Sequence, residues 1–323
     1  MPLTVATRIP SSTYRVQLHG KFTFDDLRGR LPYLCELGIT ALYLSPIFTS
    51  TPGSEHGYDV SDYRELNPEL GGQEGFDRLA VAAKEAGLGI LLDFVPNHMG
   101  TQGPLNAWWR DVLELGRSSP YAPFFDIQWK VTSDGGRQRV ITPVLEDHYG
   151  RVLERGKISV QFEEDFVLRI GGMTMPVSPL SYRLILGEVL GSNVGGVPSP
   201  RRDVAGEIAL MRGGGTPPTG EEGEFSEWVD LLAKIEAWPV VEARHDMTTA
   251  RSRAAEIAAW KKQWAELVRK NPGLKRQLEE RLRVINGEVG RPESFDALHE
   301  IIDRQHYRLA RWKAGAHEIN YRR

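Results

Sequence analysis

The stretch Gly89-Ile-Leu-Leu-Asp93-Phe-Val-Pro-Asn-His98 decides the fold that we expect of this chain. It begins with an apolar run, which is typical of a strand buried on both faces of a parallel sheet. Asp93, Asn97 and His98 follow where the run ends, and Pro96 prevents a helix from starting there. Because βα proteins carry their active sites at the carboxyl ends of strands, the stretch indicates an active-site edge. The alternative is that Asp93 and Asn97 only cap a turn.

The residues before this stretch alternate between strand and helix patterns. Two further runs rich in β-forming or apolar residues predict strands, and two segments with apolar residues at helical spacing predict helices. The order strand, helix, strand, helix, strand over residues 1–100 predicts parallel strands joined by right-handed crossovers. The predicted fold class is therefore α/β, namely the N-terminal portion (the first three βα units) of a TIM (β/α)₈ barrel. The strands are Thr13–Leu18 and Ala41–Ser45, and the helices are Phe24–Leu37 and Phe76–Ala86.

Four segments with different compositions follow these units. Residues 101–190 predict an aromatic and β-rich insertion, and residues 191–224 predict a Gly- and Pro-rich linker. Residues 225–290 predict a helical insertion that is interrupted at Asn271-Pro-Gly273. Residues 291–323 predict a helix returning to the barrel, truncated before a fourth strand. The apolar stripe of that helix would comprise Leu298, Ile301, Ile302, Leu309 and Trp312.

Composition excludes several classes of protein. The chain has 323 residues, of which 41% are hydrophobic and 26% are charged, and its formal net charge is −3. This composition is typical of a globular protein and offers no electrostatic attraction for nucleic acid or for an anionic membrane. No apolar run is long enough to cross a bilayer, and the N-terminus lacks a signal-peptide pattern. We expect a cytoplasmic protein without a nucleic-acid or membrane partner.

A polar loop after the second strand carries a second group of candidate residues. The segment Gly53–Tyr63 contains His56, Tyr58 and Asp59 between glycines. An aromatic ring can cover the apolar face of a sugar, while histidine and carboxylate groups hydrogen-bond its hydroxyls. The alternative is a plain loop rich in turn-forming residues. Together with the polar end of the third strand, the loop favours a sugar site.

These motifs together resemble the α-amylase superfamily of glycoside hydrolases and transglycosylases. The finer resemblance is to its maltooligosyltrehalose synthase family. The motifs that carry the resemblance lie near both ends of the chain. The middle of the chain, roughly residues 190–290, matches the family weakly. The motifs are Ile9–Gln17, Leu44–Ser50, Gly53–Tyr58, Asp93–Met99, Arg304–Trp312 and Glu318–Arg323.

The resemblance implies an isomerase acting by intramolecular transglucosylation. It would convert the reducing-end α-1,4 bond of a maltooligosaccharide to an α,α-1,1 bond, as in trehalose biosynthesis. Maltooligosaccharides and other α-1,4-glucans are thus the expected partners, and no cofactor or metal is expected. His98 would stabilise the transition state. Asp93 would hold the surrounding residues in place through its charge and hydrogen bonds, without reacting itself. The implied substrate-binding residues are Tyr58, His56, Asn97, Gln17 and Asp59.

The sequence motifs that carry the reacting carboxylates of such an enzyme are not found in these 323 residues. Glycosidases of this kind use a carboxylate nucleophile and a carboxylic acid. The string nearest to the family's nucleophile motif contains Glu242 and Asp246, but it lacks the preceding glycine and strand. We therefore expect an inactive N-terminal part of a longer enzyme, with the remainder of the barrel as its partner. Three alternatives remain open: another hydrolase or glucan-branching enzyme of the superfamily, a non-catalytic glucan-binding fragment, and a metal hydrolase built from His56, Asp59, Asp93 and His98.

Overall fold

The computed structural model describes residues 9–101, 106–129, 138–187, 234, 237, 242–313 and 319–321. The chain divides into two compact units, one formed by residues up to Ala107 and one formed by Trp108–Arg322. The predicted linker, 191–224, lies outside the described residues. Most of residues 225–241, at the start of the predicted helical insertion, also lie outside them.

The first unit contains a parallel sheet with helices between its strands. Strands β1, β2 and β5 lie side by side in that order, and both pairs are parallel. An antiparallel ribbon of β3 and β4 is inserted between β2 and helix α3. The elements are β1 (Thr13–Val16), α1 (Phe24–Arg28), α2 (Leu31–Glu36), β2 (Ala41–Leu44), β3 (Phe48–Ser50), β4 (Val60–Leu66), α3 (Gly72–Glu85) and β5 (Gly89–Leu92).

The two faces of the parallel sheet have different chemistry because successive side chains of a strand point to opposite faces. One face carries Val16, Leu42 and Leu44, which are buried in a core with side chains of helices α1 and α3. The opposite face carries Arg15 and Tyr43, which are paired in register across β1 and β2. The sheet therefore has one apolar face under helices and one face with polar side chains.

The predicted helix Phe24–Leu37 is wrong in one respect, because the structure has two short helices there. Helix α1 begins at a capping box in which the backbone N–H of Thr23 donates to Asp26 Oδ2 at 2.8 Å. It ends at Gly29, and α2 starts again at Leu31 with a proline in its first turn. Glycine is a poor helix former, and proline lacks the N–H that would continue the first helix.

The expectation that β5 is buried on both faces is also wrong. Leu91 is 42% exposed and Leu92 is 44% exposed. Within the part of the chain that the structure describes, strand β5 pairs with β2 alone and forms one edge of the sheet. The Leu92 side chain lies on the same face of the sheet as Leu44, and the Leu91 side chain lies on the same face as Tyr43. The edge therefore exposes apolar side chains on both faces.

The second unit combines a small parallel pair, an antiparallel sheet and several helices. Strands β6 and β10 pair in parallel, and β7, β8 and β9 form a three-stranded antiparallel sheet. The break at Asn271 confirms the predicted interruption between α7 and α8. The elements are α4 (Ala107–Leu115), β6 (Val140–Leu145), α5 (Tyr149–Glu154), β7 (Ile158–Phe162), β8 (Phe166–Ile170), β9 (Met173–Pro176), α6 (Tyr182–Leu186), α7 (Met247–Lys270), α8 (Pro272–Ile285), α9 (Asp296–Asp303) and β10 (Tyr307–Arg311).

The predicted helix of residues 291–323 is corrected by this topology. Helix α9 ends at Asp303, and Leu309 lies in β10 rather than on a helical stripe. Strand β10 pairs with β6 of the second unit, and the Trp312 N–H donates to the Leu145 carbonyl oxygen at 2.9 Å. The leucines and isoleucines before Asp303 have helical spacing, but pairing with β6 determines the conformation of the residues after it.

The core of the second unit is rich in aromatic residues. Trp260 and Trp264 of α7 stack one turn apart, and Tyr182 stacks on Trp260. All three side chains are buried. Among the described residues, no helix is long and apolar enough to span a membrane.

Candidate functional site

Asp93 follows strand β5 and lies at the centre of the candidate site. Its backbone N–H donates to the Leu44 carbonyl oxygen at 3.0 Å, which extends the pairing between β2 and β5. Its Oδ2 accepts hydrogen bonds from the Tyr58 hydroxyl at 2.5 Å and from Arg15 Nη1 at 3.1 Å. The Asp93 side chain is only 11% exposed, so these bonds supply polar partners to a carboxylate that has little contact with water.

Arg15 is a member of the site that the sequence analysis missed. Its Nη2 donates to the Tyr58 hydroxyl at 2.9 Å, and its guanidinium lies 4.8 Å from the centroid of the Tyr43 ring. The sequence position of Arg15 could have identified it as a site residue, because it lies two positions before Gln17, a predicted site residue. Residues two apart point to the same face of a strand.

The loop that carries Tyr58 is held by its own polar groups. Gly57 has a φ of +72°, and its N–H donates to the Ser54 hydroxyl at 3.1 Å. The Ser54 hydroxyl donates to Asp59 Oδ1 at 2.5 Å. Gln17 Nε2 donates to the carbonyl oxygens of Glu55 (3.1 Å) and His56 (3.2 Å). Gln17, which follows β1, therefore holds the loop backbone directly, whereas Asp59 holds it through Ser54.

His56 lies beside Tyr58 in this loop. Their rings are stacked with centroids 6.1 Å apart, and the Tyr58 N–H donates to His56 Nδ1 at 3.0 Å. In the neutral ring the proton is consequently on Nε2. The His56 side chain is 59% exposed. Hydrogen bonding to the Asp93 carboxylate, with desolvation and the charge of Asp93, raises the pKa of Tyr58. The hydroxyl therefore stays protonated and remains a donor.

His98 and Asn97 lie in the segment after Asp93, but within the described residues neither side chain is hydrogen-bonded to His56 or Tyr58. His98 Nδ1 lies 3.4 Å from Asn97 Oδ1, and among the described residues the His98 side chain has no hydrogen bond to Tyr58 or Asp93. The hydroxyl of Tyr63 holds the segment, because it lies 2.8 Å from the Val95 carbonyl oxygen and 3.1 Å from that of His98.

Tyr63 is a second residue that the analysis of the sequence left without a role. Its ring packs against Phe48 and Phe94 with centroids 5.6 Å away in each case. The ribbon strand β4 thereby supports the segment after β5. A role for Tyr63 could have been predicted from its position in the same Tyr- and Asp-rich loop motif as Tyr58.

Glu242 and Asp246, the nearest candidates for a nucleophile, occupy structural positions. Asp246 is the N-cap of helix α7, where its Oδ1 accepts from the Thr249 N–H at 3.0 Å. Glu242 forms an ion pair with Arg117. Both carboxylates are thus engaged with neighbouring parts of the second unit.

Metal ligation has no support within the residues that the structure describes. No three His, Cys, Asp or Glu side chains of those residues lie together as ligands would. His56, Asp59, Asp93 and His98 do not form such a group, so the geometry gives the metal hydrolase alternative no basis.

Comparison with known proteins agrees with the motifs. Residues 19–151 match the family described as "Alpha amylase, catalytic domain". A "Putative maltooligosyl trehalose synthase" from Mycobacterium tuberculosis is 45% identical over 174 residues, which are 52% of this chain and 21% of that protein. Neopullulanase 2 from Thermoactinomyces vulgaris is 45% identical over 113 residues, or 34% of this chain and 18% of that protein.

A solved structure extends the likeness beyond the matched sequence. The maltooligosyltrehalose synthase from Arthrobacter ramosus has a TM-score of 0.55 and is 28% identical. The match covers 97% of this chain and 26% of that one. The chain thus spans about a fifth to a quarter of the length of these relatives. By sequence and by fold, the chain is similar to proteins named as maltooligosyl trehalose synthases, and residues 19–151 of it match the alpha-amylase catalytic domain.

Proposed function

We propose that this chain forms one wall of an α-1,4-glucan site in a maltooligosyltrehalose synthase. The reaction would be an isomerisation in which the reducing-end α-1,4 bond of a maltooligosaccharide is converted to an α,α-1,1 bond. The observation that carries the proposal is the hydrogen-bonded set of Tyr58, Asp93 and Arg15 at the carboxyl end of the parallel strands. The names of the relatives from Mycobacterium tuberculosis and Arthrobacter ramosus support the choice of reaction.

The side chains of the wall suit a glucose ring. The rings of His56 and Tyr58 are stacked at an interplanar angle of 28°. An outward aromatic face of this pair would cover the apolar face of the sugar. His56 Nε2 carries the proton of the neutral ring and would donate to a hydroxyl. Asp93 Oδ1 accepts no hydrogen bond from the described residues, so it would accept one from the substrate.

The proposed reaction needs two further carboxyl groups. One would form the covalent glycosyl intermediate, and the other would protonate the leaving oxygen and later act as the base. Tyr58 and the positive guanidinium of Arg15 hold Asp93 through its Oδ2, and the resemblance implies a supporting carboxylate at this position rather than the nucleophile. We propose a supporting role for Asp93 and His98, and we infer that the chain alone binds glucan without turning it over.

A titration and a product assay on the full chain test this proposal. We expect isothermal titration with maltopentaose to show saturable binding, and Tyr58→Ala to weaken it by about tenfold or more because the aromatic surface is lost. Tyr33→Ala is the matched control, since Tyr33 is 59% exposed on helix α2 and lies outside the site. Absence of binding by the unmodified chain would refute the glucan site.

The products of the reaction distinguish the proposed enzyme from a hydrolase. The similarity to neopullulanase 2 keeps a glucan hydrolase as the second candidate. The assay uses the protein that the full gene encodes. Formation of a non-reducing product from maltopentaose supports the isomerase. Release of glucose or maltose supports the hydrolase. Turnover of either kind by residues 1–323 alone would contradict our inference that the chain is inert.

A further inference from the structure

Arg15 connects three separate parts of the first unit through one guanidinium. It lies on β1, it stacks over Tyr43 of β2, and it donates to Asp93 at the end of β5 and to Tyr58 of the loop before β4. Asp93 Oδ2 and the Tyr58 hydroxyl are themselves hydrogen-bonded. The three polar groups therefore form a closed triangle in which every pair is in contact.

The geometry of the triangle requires arginine rather than any cation. Two different terminal nitrogens are used, Nη1 for Asp93 and Nη2 for Tyr58, and the flat face of the same group covers the Tyr43 ring. A guanidinium offers donors in a rigid fork and also stacks on aromatic rings. A lysine ammonium at this position would keep the charge but lose the fork and the stacking.

A simple surface ion pair does not account for this arrangement. Arg28 and Asp25 pair on helix α1, also with an N–O distance of 3.1 Å, and both side chains are nearly half exposed, with Asp25 shared by Arg78. Asp93, in contrast, is only 11% exposed, and Arg15 holds it together with the aromatic hydroxyl of the proposed sugar wall. Arg15 thus contacts a group that would touch substrate, although its own contacts here are all within the protein.

We propose that Arg15 is a positioning residue that fixes the Tyr58 ring for glucose binding. This inference rests on the proposed function, because it assigns Tyr58 to the glucan site. Without Arg15 the phenol would keep a single polar partner in this triangle, and the loop that carries it would have more freedom. The aromatic wall would then lie correctly for only part of the time, and maltooligosaccharide affinity would fall.

The test compares Arg15→Met and Arg15→Lys with Arg28→Met, a control on the exposed pair. The first measurement is the NMR signal of Tyr58 in isotope-labelled tyrosine, assigned with Tyr58→Phe and followed through a pH titration. Arg15 acts to lower the pKa of Tyr58, against the larger effect of Asp93. We expect the signal to shift and the pKa to rise in Arg15→Met, to change less in Arg15→Lys, and to stay unchanged in Arg28→Met.

The second measurement is the affinity for maltopentaose. We expect Arg15→Met to weaken binding by about tenfold, Arg15→Lys to recover part of it, and Arg28→Met to match the unmodified chain. If the unmodified chain binds and Arg15→Met binds equally well, the positioning role is wrong although the glucan site stands. If no form binds, the proposed function fails. In that case an unchanged Tyr58 signal in Arg15→Met also refutes the structural part of the inference, and a shifted signal supports that part.

Discussion

The ammonium nitrogen of Lys261 lies 2.7 Å from Oδ2 of Asp165. The same nitrogen contacts the carboxylate of Glu114, and the Tyr182 hydroxyl donates to Asp165 Oδ1 at 2.8 Å. Lys261 belongs to α7, Glu114 to α4, and Asp165 to the turn between β7 and β8. One largely buried cation therefore ties a long helix to two other parts of the second unit.

Replacing Lys261 should destabilise the second unit strongly. In Lys261→Met the two carboxylates would lose their shared cation, and an uncompensated buried charge costs about 3–5 kcal/mol. Chemical unfolding followed by tryptophan fluorescence would measure the change, because Trp260 and Trp264 are buried nearby. Lys270→Met is the control, since Lys270 pairs with Glu266 at 2.8 Å on the exposed side of the same helix. Its cost should stay below about 1 kcal/mol, and equal losses in both variants would contradict the prediction.

His306 should make the stability of the second unit depend on pH. Burial, together with the positive charge of Arg139, lowers the pKa of His306 from 6.5 to about 4. The unfolded chain therefore binds a proton between these values that the folded chain does not, so stability is lost as the pH falls from 6.5 toward 4. Between pH 7 and pH 5 the loss should be about 2 kcal/mol.

A variant isolates the contribution of His306. Burial raises the pKa of Glu114 to about 7, which acts in the opposite direction, since the folded state then binds the extra proton. The comparison is therefore between the pH dependence of the free energy of unfolding in the unmodified chain and in His306→Gln. In His306→Gln, the loss of unfolding free energy that His306 causes as the pH falls should be absent. His245→Gln, at a residue whose side chain is 74% exposed, should retain that loss. Identical pH dependence in His306→Gln and the unmodified chain would refute the assignment.

Gly57 should be required for the position of Tyr58. A Cβ at this residue would lie 2.8 Å from the Pro46 carbonyl oxygen, and its φ of +72° is unfavourable for other residues. Gly53 has a similar φ of +74° but no atom within 4 Å of such a Cβ. Gly53→Ala should thus cost only the backbone strain of about 1–2 kcal/mol. Gly57→Ala should cost more and should also weaken maltopentaose binding. Equal effects in thermal unfolding and titration would count against the close contact.

Tyr63 should stabilise the segment that contains His98. Tyr63→Phe removes the hydroxyl near the Val95 and His98 carbonyl oxygens but keeps the ring contacts with Phe48 and Phe94. We expect a loss of about 0.5–1.5 kcal/mol and faster amide hydrogen exchange in residues 95–98. Tyr33→Phe, at an exposed position, should change neither quantity. Unchanged exchange in Tyr63→Phe would show that the ring alone holds the segment.

Much of the first unit could be predicted because its signals are local. Apolar runs bounded by glycine and proline marked β2 and β5, and the order of elements predicted the parallel pairing that the structure shows. The exposure of Leu91 and Leu92 could not be predicted in this way. An apolar run reports what a side chain prefers, whereas exposure depends on which strands and helices cover it. The same limit applies to β10, whose conformation depends on its pairing with β6.

The candidate site was predictable where geometry follows from topology. The carboxyl ends of parallel strands meet at one edge, so Asp93 and the Tyr58 loop were expected to be neighbours, and they are hydrogen-bonded. The partner Arg15 was missed because a charged residue inside a short strand gives no motif of its own. The roles proposed for His98 and Asn97 came from resemblance alone and remain predictions.

The triangle of Arg15, Tyr58 and Asp93 also has a consequence for the order of folding. Arg15 and Asp93 are separated by 78 positions in the chain, and Tyr58 and Asp93 by 35. Contacts between residues so distant form only after a large loop has closed, later than helix α3 or the ribbon of β3 and β4. We therefore expect the triangle to be among the last features of the first unit to form on refolding. Its NMR signals would report completion of the sheet more faithfully than helix content does.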